Sequence, residues 1–132
     1  MRNMKVAVLI AVLALVLAAC GGGDEGGDGG STTTPGAVGA GNPVAGASVY
    51  SGTCSACHAP DLSGIDGLGK PLAPSAFVES NSEEDLVAFL KVGRPASDPL
   101  NTQGVDMPPK GGNPSLTDQD LADVSAYLKA QQ

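Results

Sequence analysis

The chain has 132 residues, with 19 Gly, 10 Pro, no Trp and a formal charge of −7, which bounds it at one modest domain. Its seven basic residues are scattered, which argues against a nucleic-acid partner, since phosphate binding needs clustered Lys and Arg. An acidic surface suits steering toward a basic protein partner instead.

Met1–Ala19 reads as a targeting segment. Arg2 and Lys5 start it, and Val6–Ala19 is an unbroken apolar run of fourteen residues. A spanning helix needs roughly 20 such residues, so the run fits a signal-peptide core. It ends in Leu17-Ala18-Ala19-Cys20, which resembles a bacterial lipobox. That resemblance implies cleavage before Cys20 and acylation of its thiol and amino group. The mature protein would then be held on the extracytoplasmic side of a bacterial membrane. Losing Arg2 and Lys5 takes the formal charge from −7 to −9.

Cys20–Pro43 carries glycines, three acids and Ser31-Thr32-Thr33-Thr34-Pro35, with almost no large apolar side chain. Such a stretch cannot offset its own ordering entropy and reads as a tether, with a span of roughly 25–30 Å. The folded domain is expected from Val44 to Gln132. Its first helix is predicted over Val44–Cys57, despite the helix-weakening Gly46. Ala59–Pro74 holds too many Gly and Pro for a regular element. A second helix is predicted over Ser82–Val92, with Ser82 and Asp85 in capping-box spacing, a face of Leu86, Phe89 and Leu90, and Gly93 as its stop. Arg94–Pro114 is again loop. A last helix runs from the N-cap Thr117 to about Ala130, buries Leu121, Val124, Tyr127 and Leu128, and places Asp118, Asp120 and Asp123 near its positive end. No segment alternates with period two, so the fold class is all-α.

The chemistry concentrates in Cys54-Ser55-Ala56-Cys57-His58. C-x-x-C-H is the attachment signature of c-type haem: two thiols add to the porphyrin, and the next residue presents an imidazole to iron. His58 is the only histidine in the chain, and Met107, forty-nine residues later, is the only methionine outside the targeting segment. Met107 lies in Asp106-Met107-Pro108-Pro109, where prolines stiffen the backbone and no apolar stripe claims the side chain. A thioether opposite an imidazole stabilises ferrous iron and leaves no open position, which favours electron transfer over catalysis. With four aromatics and no cysteine to spare for a disulfide, the domain also lacks core mass that one covalent haem c would supply. A thioredoxin-like redox pair would need a βαβ context, and zinc would need two further ligands.

Val44–Gln132 resembles a small class I cytochrome c. The resemblance rests on Gly46-x-x-x-Tyr50-x-x-x-Cys54-x-x-Cys57-His58, on Lys70-Pro71-Leu72, on Met107-Pro108 and on a terminal helix with Tyr127. It implies a cytochrome c fold, three or more short helices with long loops wrapped around one haem. It further implies a close crossing of first and last helices at Gly46 and Tyr127, and a Pro71 carbonyl accepting the His58 imidazole N–H. Leu72, Phe77, Leu90 and Leu100 are candidate haem-packing residues. The tryptophan that some members place near a propionate is missing, and Arg94 stands where it could serve instead.

The expected function is a lipid-anchored carrier of single electrons between extracytoplasmic redox proteins, with no small-molecule substrate. Two rivals remain at this stage: a fixed haem subunit of a dehydrogenase or oxidase complex, and a haem-based gas or redox sensor.

Overall fold

The structure is a computed structural model that describes residues 39–132. The targeting segment, Cys20 and nearly all of the tether lie outside the described residues. Those described are helical, with no strands among them and only two isolated bridges, Ile65 with Gly69 and Arg94 with Met107.

Helix α1 spans Pro43–Val49. Asn42 caps it, its Oδ1 accepting from the Val44 and Ala45 amides, and Pro43 supplies a preset φ at the first helical position. The helical path then widens into a π turn over Tyr50–Cys54 before α2, Ser55–His58. The single helix predicted over Val44–Cys57 is therefore interrupted; Gly52 and Thr53, both weak helix formers, lie in the wide turn. The loop predicted over Ala59–Pro74 holds no helix, and just beyond it comes a short one that the sequence does not signal, α3, Ala76–Ser80, started by Ser75 Oγ accepting from the Val78 amide. Helix α4 spans Glu83–Val92 with the full Ser82–Asp85 capping box. A tight turn at Pro109–Gly112 precedes α5, Asp118–Ala130, which opens on a second reciprocal box between Thr117 and Asp120.

α5 is the spine. Leu121, Val124 and Leu128 are buried on it, and they meet Tyr50, Leu62, Val78, Leu86 and Leu90 in one core. α1 crosses α5 at Gly46. A Cβ there would lie 2.0 Å from the Asp123 carbonyl oxygen and 2.8 Å from Tyr127 Cβ, so only glycine permits the approach. One helical turn on, the rings of Tyr50 and Tyr127 pack with centroids 5.5 Å apart.

Asp123 does not behave as a helix-dipole partner. It is buried, and its Oδ1 accepts from the Asn42 amide at 2.8 Å and from Gln119 Nε2 at 2.9 Å. Gln119 Oε1 accepts from the Gly39 amide at 2.9 Å. Among the described residues, packing against α5 thus includes Gly39, ahead of the Val44 start that composition suggests, because polar side chains of α5 bind the backbone of a Gly-rich stretch that has no large apolar side chain of its own. At the other end of α5, Lys129 Nζ donates to the carbonyls of Val78, Glu79 and Asn81, which closes the end of α3.

Candidate functional site

Cys54, Cys57 and His58 line the same open cleft as Met107 and Pro108. Its walls are mostly apolar: Leu68, Leu72, Phe77, Phe89, Leu90, Leu121 and Val124 face it. Leu72, Phe77 and Leu90 stand there as the sequence suggests. Leu100 does not; it is 63% exposed and outside the lining, because its turn bends outward and contributes only its carbonyl, which accepts from Lys70 Nζ at 2.8 Å.

The His58 ring is held by one bond that fixes its proton. Nδ1 lies 2.7 Å from the Lys70 carbonyl oxygen. A carbonyl can only accept, so Nδ1 carries the hydrogen and the Nε2 lone pair is free for a metal. This corrects the Pro71 expectation by one residue: Pro71 is among the residues that line the cleft, while the residue before it supplies the acceptor. The physical reason is backbone restriction, since a residue preceding proline is kept extended, which presents the Lys70 carbonyl to the imidazole.

The backbone after His58 turns sharply. Ala59 has φ 62° and ψ 154°, a region that costs a non-glycine residue on the order of 1–3 kcal/mol. The buried Tyr50 hydroxyl donates to the Ala59 carbonyl at 2.5 Å, and the His58 carbonyl lies 3.3 Å from it. Burial first, then the nearby Cys54, push the Tyr50 phenol up to about 12, which keeps it a donor at neutral pH. Burial, reinforced by Cys57, pushes the Cys54 thiol up to about 11. That is the reverse of a catalytic redox thiol, whose value is depressed. Among the described residues no three His, Cys, Asp or Glu side chains converge, so the two thiols lack the further ligands zinc would require.

Met107 is positioned by its backbone. Its amide donates to the Arg94 carbonyl and its carbonyl accepts from the Arg94 amide, both at 2.8 Å. This bridge ties the loop to the end of α4. Gly93 makes it possible: its φ is 74°, and a Cβ would lie 2.2 Å from the Met107 oxygen. Between the two ends of the bridge the loop wraps around Asn101. Asn101 Nδ2 donates to the carbonyls of Pro95 and Val105, and its Oδ1 accepts from the amides of Gln103 and Gly104. The sequence offered no signal for that web beyond the general preference of Asn for turns.

Arg94 also lines the cleft. Its guanidinium carbon sits 5.0 Å from the ring centroids of both Phe77 and Phe89. Its Nε is buried without a hydrogen-bond partner; Asp98 Oδ2, at 3.6 Å, is too far for one. A buried, unpartnered guanidinium donor calls for an acceptor in the cleft, and haem carries carboxylates. Two thiols, an imidazole with a free Nε2, a thioether and this donor around one apolar cleft fit a haem. They are the parts of a small c-type haem protein.

Comparison with known proteins agrees. Residues 43–132 match the family model for cytochrome c, and the chain belongs to that family, whose members hold haem c covalently and transfer electrons. It is 29% identical over 87 residues to a cytochrome c-555 of Chlorobaculum thiosulfatiphilum, across 66% of this chain and 93% of that protein. No solved structure matches it.

Proposed function

We propose that this cytochrome carries single electrons between extracytoplasmic redox proteins, with His58 and Met107 as axial ligands and a lipid on Cys20 as its anchor. The observation that carries the reading is the shared cleft of Cys54, Cys57, His58 and Met107, with the imidazole proton held at Nδ1 by the Lys70 carbonyl. Cys54 and Cys57 would attach the porphyrin, and Arg94 would bind a propionate. Haem supplies the one-electron iron couple. Leu72 and Leu90, which line the cleft, would help keep water from the metal, and if His58 and Met107 both bound it no position would be left for a substrate. The formal charge of −7 supports partners with a basic docking surface.

The test is an anaerobic redox titration with optical spectra on the purified protein and on Met107→Ala. The parent should titrate as one single-electron couple and show, when ferric, the long-wavelength band of methionine-ligated haem. In Met107→Ala that band should disappear and the potential should fall. An unchanged band would remove Met107 as ligand. Rapid carbon monoxide binding by the native ferrous protein would overturn the carrier reading itself. For the anchor, Cys20→Ser should release the cytochrome from membranes with its spectrum intact.

A further inference from the structure

The chain leaves the C-x-x-C-H segment through a backbone conformation that belongs to glycine. Ala59, bonded directly to His58, has φ 62° and ψ 154°. Leu62, three residues on, again has a positive φ, 65°. Alanine persists in such a conformation only where its surroundings over-determine it.

The bonds that do so differ in origin. The Leu62 amide donates to the Ala59 carbonyl at 3.3 Å, and the Gly64 amide donates to the His58 carbonyl at 2.9 Å. Both come from the turn itself and move with it. The Tyr50 hydroxyl comes from nine residues away, at 2.5 Å from the Ala59 carbonyl. Its ring is 2% exposed and packed on Tyr127, so the α1–α5 crossing fixes the phenol. A phenylalanine ring would serve the crossing equally well. The hydroxyl therefore has a separate task, and it points at the residue after His58.

We propose that the Tyr50 hydroxyl is a positioning group for His58, holding the strained Ala59 carbonyl and, through it, the tilt of the imidazole. Lys70 then anchors the ring at Nδ1 while Tyr50 anchors the backbone that carries it. The inference rests on the haem reading of this site, and it assigns Tyr50 a role in setting the ligand geometry rather than in packing alone.

The test uses the haem-loaded protein in four forms: parent, Tyr50→Phe, Ala59→Gly and the double variant. The readouts are the paramagnetically shifted NMR resonances of the His58 ring and the reduction potential. Tyr50→Phe should move both and lower the folding equilibrium constant about three- to tenfold. Ala59→Gly removes the strain, so Tyr50→Phe introduced in that background should leave the His58 resonances nearly where they were. Unmoved resonances in Tyr50→Phe would overturn the proposal. Equal displacement with and without Ala59→Gly would overturn it too, because the hydroxyl and the turn would then be uncoupled. A change in stability alone, without one in the His58 signals, would leave Tyr50 a packing residue and likewise overturn it. Covalent haem in the parent, read from its absorbance, reports separately on the function proposed above.

Discussion

On the His58 side of the cleft the chain is helical from Pro43 to His58 and lies across α5. On the Met107 side it runs from Gly93 to Leu116 through loop and turns, its one helical piece the short 3-10 turn at Pro109–Gly112. The first wall is set by buried surface: Tyr50, Leu121 and Val124 are each 2% exposed or less, and the Gly46 contact locks the crossing. The second is set by single bonds, namely the Arg94–Met107 pair and the four around Asn101. Buried packing fails with the whole fold, whereas a loop held by separate bonds can open alone. One candidate ligand therefore depends on global stability and the other on local stability.

The largest effect should come from Gly46→Ala. The added methyl would meet the Asp123 carbonyl at 2.0 Å, and a backbone oxygen cannot rotate aside. The cost should exceed the usual ~1–3 kcal/mol of overpacking, against a total stability of about 5–15 kcal/mol for a domain. Both walls should be lost together, read as a collapse of the denaturation midpoint with the haem absorbance changing in step. A midpoint close to the parent's would show that the crossing can open, and the contrast between the walls would weaken.

Gly93→Ala should break the second wall alone. Its Cβ would meet the Met107 oxygen at 2.2 Å, at a φ of 74° that alanine resists. We expect a loss of about 1–3 kcal/mol, with the methionine band reduced while far-ultraviolet helicity is retained. If helicity fell in parallel with the band, the loop would be part of the cooperative unit rather than a separately opening one.

These walls were unequally legible in the sequence. The helical one announces itself through periodic residues and caps: Leu86, Phe89 and Leu90 on α4, Ser82 opposite Asp85, Thr117 before α5, and a Gly46 whose helix penalty makes sense only as a close contact. The C-x-x-C-H motif and the uniqueness of His58 are likewise local facts. What sequence reasoning missed is carried by backbone. The acceptor for His58 is the Lys70 carbonyl rather than that of Pro71, and a carbonyl leaves no mark on the identity of its residue. The docking of Gly39–Asn42 onto Gln119 and Asp123 spans about 80 positions and uses amides that every residue has. Ala59 is the sharper case: nothing about an alanine signals a positive φ, and the Tyr50 hydroxyl that donates to its carbonyl sits nine residues away.

The smallest effect concerns acid and the cap of α5. The Thr117 hydroxyl and amide both donate to Asp120 Oδ2 at 2.7 Å and hold its carboxyl below the ordinary 3.8. A carboxyl lowered in the folded state adds stability that is fully present above its unfolded value and is lost as pH falls through the folded one. Asp120 is half-buried at the protein surface, where solvent screening keeps the contribution small. Asp120→Asn should therefore lower stability by less than about 1 kcal/mol at neutral pH. The gap should close as the pH drops from about 4 through the lowered value, because the parent's carboxyl is then neutral as well. Denaturant midpoints of the two proteins, followed from neutral to strongly acid solution, measure this; a gap independent of pH would mean that the carboxylate charge does not contribute to the cap. The same samples bear on the two walls. Asp120 caps the helical wall, so the methionine band should be equal in both proteins at every pH where each is folded. A band that weakened in Asp120→Asn well before unfolding would show the loop drawing its order from α5, and the two ligands would then share one source of stability.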